Sequence, residues 1–333
     1  MRHPLRRVSR RAVALAAGVC ATTFAQDDAA AKYLRCWPTA CAEPPACPTL
    51  KLNTGAAIPQ LGFGTYLTNG EELVRALVHA IRVGYRHIDT AAGYQNEPAV
   101  AQAIDEAGVP RSELFVTSKL WCSDHGARRT KAAIARSLSN LNTDYLDLYL
   151  IHAPDNQGET PEEIRRLRLE SWREMEAAYR AGVLKAIGVS NFEPRHIDEL
   201  LAGRPDAITP AVNQVELHPQ LDQRATLDYC ARKGIVVEAY GAIGADGLLE
   251  QPVVREVAAR YGRTPAQLTL RHTLGRGAPD GAGVVVLAKS LTPSRIDENL
   301  RIFEWELMPA DARALDQLAR RDGRTYWDNS DVP

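Results

Sequence analysis

The sequence has almost no net charge and no apolar run at its N-terminus long enough to cross a bilayer. Its 333 residues carry 40 Lys and Arg against 41 Asp and Glu, which leaves a formal net charge of −1 at pH 7. A chain without excess positive charge is not expected to have nucleic acid as its main partner. The apolar segment at 12–21 is shorter than the roughly 20 residues that a transmembrane helix needs. We therefore expect neither a nucleic-acid partner nor an integral membrane segment in the mature protein.

The chain also lacks the clustered ligands of a metal site. Cys36, Cys41 and Cys47 lie in a Pro/Cys-rich stretch that has neither a histidine nor a fourth cysteine to complete a zinc site. They are interpreted as free thiols on a linker, and one small loop disulfide is the alternative in an oxidising compartment. Cys122 and Cys230 stand alone and are expected to be packing residues. No metal is expected.

The N-terminus is basic and free of acidic residues. Residues 1–26 contain five arginines, and the apolar run at 12–21 is followed by the small-residue pattern TFA at 23–25. This order is typical of a cleavable signal or transit peptide, and the SRR at 9–11 faintly resembles a twin-arginine export signal. The sequence thus predicts an organelle or the secretory route, with the cytoplasm as the alternative if the extension targets nothing.

The rest of the chain is interpreted as a linker at 27–48 and one folded body at 49–333. The composition, 45% apolar and 24% charged, is that of an ordinary globular protein. Within the body, short β-branched or apolar runs alternate with stretches of helical periodicity. The candidate strands are 61–66, 86–90, 114–118, 145–151, 184–189, 211–215, 235–239 and 284–288. The candidate helices are 70–83, 96–108, 125–141, 161–181, 194–202, 222–233, 250–262, 264–275 and 294–300.

Prolines and glycines punctuate this alternation. Prolines stand at the starts of three candidate helices, at positions 161, 194 and 265. Glycines stand at the ends of four candidate helices, at positions 108, 182, 234 and 262. Strict alternation implies a parallel sheet, and eight repeats favour a closed (β/α)8 TIM barrel, an α/β fold, over an open sheet. No G-x-G-x-x-G follows the first strand, so a Rossmann domain is not indicated. A β-hairpin is expected ahead of the barrel, from Leu50 to Pro59.

In such barrels the chemistry collects where strands end and the loops to the helices begin. Nearly every candidate strand delivers a polar or ionisable side chain to that end. These side chains are Asp89, Tyr94, Lys119, His152, Ser190, Asn191, Gln214, Glu216, Tyr240, Lys289 and Ser290. Each alone has a structural explanation, such as a helix cap or a satisfied buried histidine. Together they are expected to converge on one pocket.

Asp89, Tyr94, Lys119 and His152 in one pocket suggest proton transfer to a carbonyl. A free tyrosine has a pKa near 10, and a neighbouring Lys119 ammonium, held in place by Asp89, is expected to lower the pKa of Tyr94. The phenol would then act as general acid toward a carbonyl or general base toward an alcohol. A neutral His152 would donate a hydrogen bond to the carbonyl oxygen. None of these residues supplies a hydride, so a redox cofactor is required.

The motifs around these four residues resemble those of the aldo-keto reductases, and the resemblance covers residues 49–333. LNTGAAIPQLGFGTY is similar to the N-terminal hairpin and first strand of that family. GYRHIDTAAGYQNE is similar to the segment with the catalytic aspartate and tyrosine, FVTSKLW to the lysine segment, and DLYLIHAP to the histidine segment. The resemblance implies an NADP-dependent alcohol dehydrogenase or aldehyde reductase that acts on a small-molecule carbonyl. A monomer is the default expectation.

The resemblance also implies where the nicotinamide would lie. GVSNF and NQVELHP are similar to the stretches that hold the nicotinamide carboxamide in the family. The residues implied for that role are Ser190, Asn191 and Gln214. Tyr240 stands where the family stacks an aromatic ring on the nicotinamide.

AKSLTPSRIDEN resembles the motif that binds the adenosine phosphate. It implies Lys289, Ser290 and Arg295 at the 2′-phosphate, with Glu298 and Asn299 nearer the adenine. Two cations and a hydroxyl at this place favour NADPH over NADH, because the 2′-phosphate is the group that distinguishes them. The expected cofactor is therefore NADPH, or NADP+ in the oxidative direction.

The chain departs from the family pattern in the substrate pocket. Ala153 follows His152 where many relatives have tryptophan, so one pocket wall is either smaller or supplied elsewhere. Trp121 and His125 are candidate rim residues, with a stacked surface aromatic and a solvated imidazole as the alternatives. The tail around Trp327 either folds over the pocket mouth or packs on the barrel exterior. Substrate contacts are predicted for Trp121 and His152.

Two other functions fit parts of the pattern. A regulatory subunit that binds NADPH on the same scaffold with little turnover would carry the same motifs. A metal-dependent barrel hydrolase would need clustered strand-end ligands such as His-x-His, whereas this chain has His87-x-Asp89 and no obvious partner set. The sequence favours an NADPH-dependent oxidoreductase in which Tyr94 protonates the carbonyl oxygen of an aldehyde or ketone. It does not identify the physiological substrate.

Overall fold

A computed structural model of the chain describes residues 47–277, 283–320 and 322–333. The predicted signal or transit peptide at 1–26 and the linker cysteines Cys36 and Cys41 lie outside the described residues. Cys47 is the first of those described; it forms no disulfide with another described cysteine, and its thiol donates to the carbonyl of Pro48. The division into leader, linker and barrel stays a prediction.

A two-stranded hairpin precedes the barrel, as the sequence predicts. Strand β1 (Thr49–Lys51) pairs antiparallel with β2 (Ala57–Pro59), with Leu50 opposite Ile58. Gly55 in the connecting turn has φ 90°, a conformation that glycine adopts without steric cost. Leu52 and Ile58 pack with apolar residues near the amino ends of the barrel strands, such as Leu148. The hairpin therefore covers the end of the barrel opposite the predicted site.

Eight parallel strands close into a barrel, in the order β10-β3-β4-β5-β6-β7-β8-β9. This confirms the predicted (β/α)8 fold. The strands are β3 (Leu61–Gly64), β4 (His87–Asp89), β5 (Phe115–Leu120), β6 (Leu148–Ile151), β7 (Ile187–Ser190), β8 (Val212–Glu216), β9 (Val236–Tyr240) and β10 (Val284–Ala288). Nearly all their residues are buried, because one face of each strand lines the barrel interior and the other meets the helices.

Ten α-helices are present in the described parts of the chain. They are α1 (Gly70–Val83), α2 (Glu97–Ala107), α3 (Ala127–Asn140), α4 (Pro161–Arg180), α5 (Pro194–Leu201), α6 (Arg224–Lys233), α7 (Pro252–Arg260), α8 (Pro265–Leu274), α9 (Pro293–Leu300) and α10 (Pro309–Asp316). Helices α4, α5 and α8 begin at the predicted prolines, and α2 and α6 end at glycines with positive φ. None of these helices is long and apolar enough to cross a membrane.

The largest differences between the structure and the predicted elements lie in three places, and elsewhere the limits differ by at most two residues. Strand β6 begins at Leu148 and β7 at Ile187, later than predicted, because the preceding residues join only through an isolated bridge between Leu146 and Leu184. Helix α10 was not predicted, since its short sequence has little helical periodicity. It packs against α7 and buries Leu315.

Candidate active site

The carboxyl ends of the strands open into a cavity of about 860 Å3. All but one of the predicted site residues line it. These lining residues are Asp89, Tyr94, Trp121, His152, Ser190, Asn191, Gln214, Tyr240, Lys289, Ser290, Arg295, Glu298 and Asn299. The exception is Lys119, which lies buried beneath the cavity floor and contacts two of them. The structure thus brings these thirteen predicted residues to one cavity, whose other lining residues were not predicted.

Lys119, Asp89 and Tyr94 form a connected group on the cavity floor. The Lys119 ammonium donates to Asp89 Oδ1 at 2.7 Å, to the carbonyl of Thr90 at 2.9 Å and to the Tyr94 hydroxyl at 3.2 Å. Lys119 and Asp89 come from the neighbouring strands β5 and β4, and Tyr94 lies on a 3₁₀ turn (Ala92–Tyr94) directly after β4. All three donor hydrogens of the ammonium are thus used, which fixes it beside the phenol.

The pKa of Tyr94 does not follow the expected direction. Burial raises the pKa of Tyr94 to about 12, and the Asp89 charge acts in the same direction. The Lys119 charge lowers this pKa, but its effect is smaller than that of burial. The expectation of a lowered pKa was wrong because desolvation disfavours the phenolate. Although burial lowers the pKa of Lys119, Asp89 and Tyr94 raise it above its usual value, so the lysine is charged. The phenol is protonated at neutral pH and can serve as a donor.

His152 stands beside Tyr94 as a neutral imidazole. Its ring centroid lies 5.5 Å from that of Tyr94 in an edge-to-face arrangement. Burial, followed by the nearby Lys119 charge, holds the pKa of His152 well below its ordinary value. The Asn191 side-chain amide donates to the backbone carbonyl of His152 at 2.9 Å. A neutral imidazole has one N–H to donate, which suits a carbonyl oxygen placed between it and the phenol.

Two tryptophans form the wall above these groups. Trp327 stacks face to face on the His152 ring, with centroids 5.4 Å apart and planes 13° apart, and Trp121 contacts both rings edge-on. Gly93 is required opposite Trp121, because a Cβ there would lie 2.3 Å from an indole carbon. Of the two predicted placements of the tail, the one over the pocket mouth is therefore present. Trp327 of the tail supplies the pocket wall that lies against His152.

His125 is not a rim residue. It is fully buried, does not line the cavity, and neither of its ring nitrogens has a hydrogen-bond partner among the described residues. Burial lowers its pKa to about 3, and the charges of Arg168 and Arg129 act in the same direction. Both the rim placement and the solvated imidazole were wrong, because the His125 side chain is buried outside the cavity lining.

The residues predicted to hold a nicotinamide are joined by hydrogen bonds. The Tyr240 hydroxyl donates to Asn191 Oδ1 at 2.7 Å, and the Ser190 hydroxyl donates to the carbonyl of Gln214 at 2.9 Å. Asn191 has φ 61°, a left-handed conformation that asparagine adopts more readily than other residues with a Cβ. Amide and hydroxyl groups at one edge of the cavity, beside the Tyr240 ring, suit a flat ring that carries a carboxamide.

The other end of the cavity carries two exposed cations. Lys289 and Arg295 form no ion pair with any residue that the structure describes, and Ser290 accepts from the backbone N–H of Thr292. Nearby, Asn299 is buried, and the Thr264 hydroxyl donates to the Glu298 carboxylate. Two cations without an ion-pair partner among the described residues, next to the start of a helix, have the charge that suits a phosphate.

Several cavity residues were not predicted. Leu249, Glu250 and Arg255, together with the start of α8, line the end of the cavity near Lys289. They come from a loop and a helix start that carry no motif, so no signal in the sequence identified them.

Glu216 was noted only as a polar residue on its strand, yet it anchors the C-terminal tail (residues 322–333). Its carboxylate accepts the backbone N–H groups of Thr325 at 2.7 Å and Tyr326 at 3.1 Å. Gly241, with φ 75°, leaves room for the Tyr326 ring, since a Cβ there would lie 3.1 Å from it. The tail is thus fixed to the barrel at the cavity mouth.

In residues 47–277, 283–320 and 322–333, no group of three or more His, Cys, Asp or Glu side chains is placed to hold a metal ion. At the inner end of the cavity, Asp89, Lys119 and His152 are instead arranged around the Tyr94 phenol.

Comparison with known proteins points to one protein family. Residues 60–320 match the family described as "Aldo/keto reductase family". Glyoxal reductase of Bacillus subtilis is 42% identical over 271 residues, which cover 81% of this chain and 92% of that protein. Glycerol 2-dehydrogenase (NADP(+)) of Saccharomyces cerevisiae is 39% identical over 295 residues, which cover 82% of this chain and 91% of that protein. A crystal structure of an aldo/keto reductase from Brucella melitensis matches with a TM-score of 0.74 at 39% identity, covering 82% of this chain and 100% of that one.

Proposed function

Because the chain belongs to the aldo/keto reductase family, we propose that it is an NADPH-dependent oxidoreductase that reduces aldehydes or ketones to alcohols. The observation that carries the proposal is the contact of the Lys119 ammonium with both Asp89 and the Tyr94 hydroxyl beside a neutral His152. This arrangement can donate one proton and one further hydrogen bond to a single oxygen atom.

The cavity fits a nicotinamide dinucleotide phosphate along its length. Amide and hydroxyl groups of Ser190, Asn191 and Gln214 would hold the carboxamide at the inner end, next to the Tyr240 ring. Two exposed cations at the outer end would pair with the 2′-phosphate, which NADH lacks. The name of the yeast relative includes NADP(+), which supports the same cofactor here. When bound, NADPH supplies the hydride that no side chain of the protein can provide.

In the proposed reaction the protein orients the carbonyl and supplies the proton. His152 donates a hydrogen bond to the carbonyl oxygen and places it beside the Tyr94 hydroxyl. As negative charge develops on that oxygen, Tyr94 transfers its proton to it, and the resulting phenolate is stabilised by the Lys119 ammonium 3.2 Å away. Asp89 keeps the ammonium in place. A pKa of about 12 keeps the phenol protonated until the oxyanion forms.

The substrate pocket favours small carbonyl compounds. Trp121 and Trp327 close two sides around His152, and the Tyr66 ring lies 5.1 Å from that of Tyr94. No cationic side chain lines this inner part of the cavity among the described residues. The bacterial relative is named for glyoxal, a small dicarbonyl compound. We propose short aldehydes and dicarbonyls as the substrate class.

Replacement of Tyr94 by Phe tests the proposal. The variant is expected to lose at least about 100-fold in kcat for NADPH-dependent reduction of glyoxal, because the proton donor is removed. Its Kd for NADPH, measured by fluorescence titration, should change less than about threefold. Tyr149→Phe is the matched control: that side chain is buried and does not line the cavity, so removal of its hydroxyl should leave kcat unchanged.

Undiminished turnover in the Tyr94→Phe protein would overturn the assignment of the proton donor. Tight NADPH binding by the wild-type protein without turnover of any aldehyde in a panel would instead support the regulatory subunit. Absence of NADPH binding would contradict both functions.

A further inference from the structure

A second carboxyl group lies inside the barrel, and the mechanism above does not use it. Glu238 is in the middle of β9 and is fully buried. Its Cα is in register with Gln214 on β8, and its side chain points to the same interior as Asp89 and Lys119. Burying a carboxyl group in an apolar barrel costs free energy unless it is neutralised or well paired. A hydrophobic residue would fill the space at lower cost.

Glu238 fixes the orientation of the Gln214 side chain. The Gln214 amide nitrogen donates to Glu238 Oε2 at 2.6 Å and to Asp89 Oδ2 at 2.8 Å. An amide NH2 group has two hydrogens, so both are committed to the two carboxyl groups. Only the amide oxygen of Gln214 is left for a ligand in the cavity. That oxygen can accept a hydrogen bond from the NH2 group of a carboxamide.

The other oxygen of Glu238 faces His87. Glu238 Oε1 is buried without a hydrogen-bond partner among the described residues, and it lies 3.3 Å from His87 Nε2, which is also 3.3 Å from the Thr117 hydroxyl. His87 Nδ1 lies 3.3 Å from the backbone carbonyl of Pro59, which only accepts, so Nδ1 carries a hydrogen and Nε2 of the neutral ring is an acceptor. One proton placed between Glu238 Oε1 and His87 Nε2 would give the unpartnered oxygen a partner and leave the pair without net charge.

The charges around Glu238 also favour one retained proton. From β4 and β5 it faces Asp89 and Lys119, which already neutralise each other. Strand β10, which pairs Val285 with Glu238, carries no ionisable side chain. Helix α6 packs on the opposite face of the sheet, where its Cys230 lies beside Asn213. The ionisable residues of α6, which lies outside the barrel wall, are Arg224, Asp228, Tyr229, Cys230, Arg232 and Lys233.

We propose that Glu238 is a positioning residue with two effects on the site. At neutral pH it shares one proton with His87 and holds the Gln214 amide oxygen toward the nicotinamide carboxamide. When that proton is lost, the preference of the site shifts from NADPH to NADP+. The proposal rests on the proposed function. Loss of the proton to solvent adds a negative charge beneath the site of the nicotinamide. The nicotinamide ring is cationic in NADP+ and neutral in NADPH, so the added charge favours the oxidised form.

The pH range of this change follows from the surroundings of the two groups. Burial raises the pKa of Glu238 to about 8, and the Asp89 charge also raises it. The hydrogen bond from Gln214 and the charge of Lys119 lower this pKa, but by less. Burial lowers the pKa of His87 to about 3, so the shared proton resides on the carboxyl group. The transition is therefore expected between pH 7 and 9.

The experiment compares the Kd values of NADPH and NADP+ from pH 6 to pH 10, by titration of the protein fluorescence. The ratio of the two constants cancels titration of the phosphate groups that both cofactors share. In the wild-type protein the ratio Kd(NADPH)/Kd(NADP+) should rise by about fivefold as Glu238 ionises. In Glu238→Gln the ratio should stay at its neutral-pH value, because the Gln side chain can still accept from Gln214 and donate toward His87, and it does not titrate.

Glu97→Gln is the matched control. Glu97 is equally buried but accepts hydrogen bonds from Ser118 and Asn140 away from the cavity, so its variant should retain the wild-type rise. Infrared difference spectra of the cofactor-free protein between pH 7 and pH 10 give a second readout. They should show loss of the C=O band of a protonated carboxyl group in the wild type and in Glu97→Gln, but not in Glu238→Gln.

A wild-type ratio that is constant over this range, or a rise that persists in Glu238→Gln, would overturn the proposal. The infrared measurement needs neither cofactor nor turnover, and it keeps the test decisive if Glu238→Gln is unstable, since absence of the band change in the wild type contradicts the shared proton. If the wild-type protein binds cofactor but reduces no carbonyl, the proposed function fails while the ratio still tests Glu238.

Discussion

At the scale of single residues, the two exposed cations at the outer end of the cavity set the expected cofactor preference. Lys289 and Arg295 carry charges that would meet the 2′-phosphate of NADPH and would meet no phosphate on NADH. Hydrogen bonds to charged groups contribute about 1.5–3 kcal/mol each. The double substitution Lys289→Ala with Arg295→Ala is therefore expected to raise the Kd for NADPH by at least about 100-fold, measured by fluorescence titration, with little change for NADH.

Arg301→Ala provides the control for this prediction, since Arg301 is an exposed cation on the 3₁₀ turn after α9 and does not line the cavity. Its variant should bind both cofactors like the wild type. Equal losses for NADPH and NADH in the double variant would mean that the two cations act on a phosphate common to both, and the preference would then have another origin.

The residues of the candidate site could be predicted where they follow a strand end within a motif, and less well where burial decides their behaviour. Asp89, Tyr94 and Lys119 were brought together as predicted. The pKa of Tyr94 could not be predicted because the extent of desolvation depends on the whole barrel mouth. Glu238 left a usable signal, since an acidic residue stands in the middle of an otherwise apolar strand. Buried strands rarely tolerate that without a partner.

At the scale of elements, the C-terminal tail is the part of the structure that completes the substrate pocket. Glu216 is nearly fully buried, and it accepts from His218 as well as from the tail backbone. Glu216→Gln replaces an acceptor oxygen with an NH2 group, so at least one tail N–H loses its partner. We expect the KM for a short aldehyde to rise about three- to tenfold with a smaller change in kcat, since the Trp327 wall is loosened while the proton donor is untouched.

Hydrogen exchange provides the independent measurement for the tail. The amides of residues 322–333 should exchange faster in Glu216→Gln than in the wild type. Glu176→Gln is the control, because Glu176 is an equally buried carboxylate that binds Arg204 and the N–H of Ile208 far from the tail in sequence. Unchanged exchange of the tail in Glu216→Gln, with a normal KM, would show that the other contacts of the tail suffice to hold it.

The elements themselves were predictable where start and stop residues bracket a periodic run. Helix α1 has the predicted limits, and α4, α5 and α8 begin at their prolines. The beginnings of β6 and β7 were placed too early, because apolar residues before a strand can be buried without pairing regularly in the sheet. The position of the tail was left open, since contacts such as Glu216 to Thr325 join residues far apart in sequence.

At the scale of the whole molecule, buried histidines link stability to pH. His87, His125 and His152 all have pKa values lowered by burial. In the unfolded chain a histidine takes up a proton near pH 6.5. Below that pH the unfolded state binds protons that the folded state excludes, so the free energy of unfolding falls as the pH falls. Glu238 acts in the opposite direction between about pH 4.5 and 8, because its pKa is raised on folding.

His125 isolates this effect, because it has no hydrogen-bond partner for its ring nitrogens among the described residues and lies outside the cavity. Its folded-state pKa of about 3 means that it destabilises the fold by about 1.4 kcal/mol for each pH unit below 6.5. His125→Leu removes the titrating group and roughly keeps the volume. The free energy of unfolding of this variant, relative to wild type, is expected to increase by about 2–3 kcal/mol between pH 7 and pH 4.5.

Urea unfolding at the two pH values measures this difference, and a constant offset from altered packing cancels in the comparison. His125→Gln is the companion variant: it also cannot ionise, but it keeps a polar side chain. Both variants should therefore show the same gain toward acid pH, even if their stabilities at pH 7 differ. A gain in His125→Leu alone would contradict protonation of His125 as the cause, since neither variant can ionise at this position. No gain in either would mean that the folded protein admits a proton at His125 by opening locally, at a cost smaller than the burial of the side chain implies.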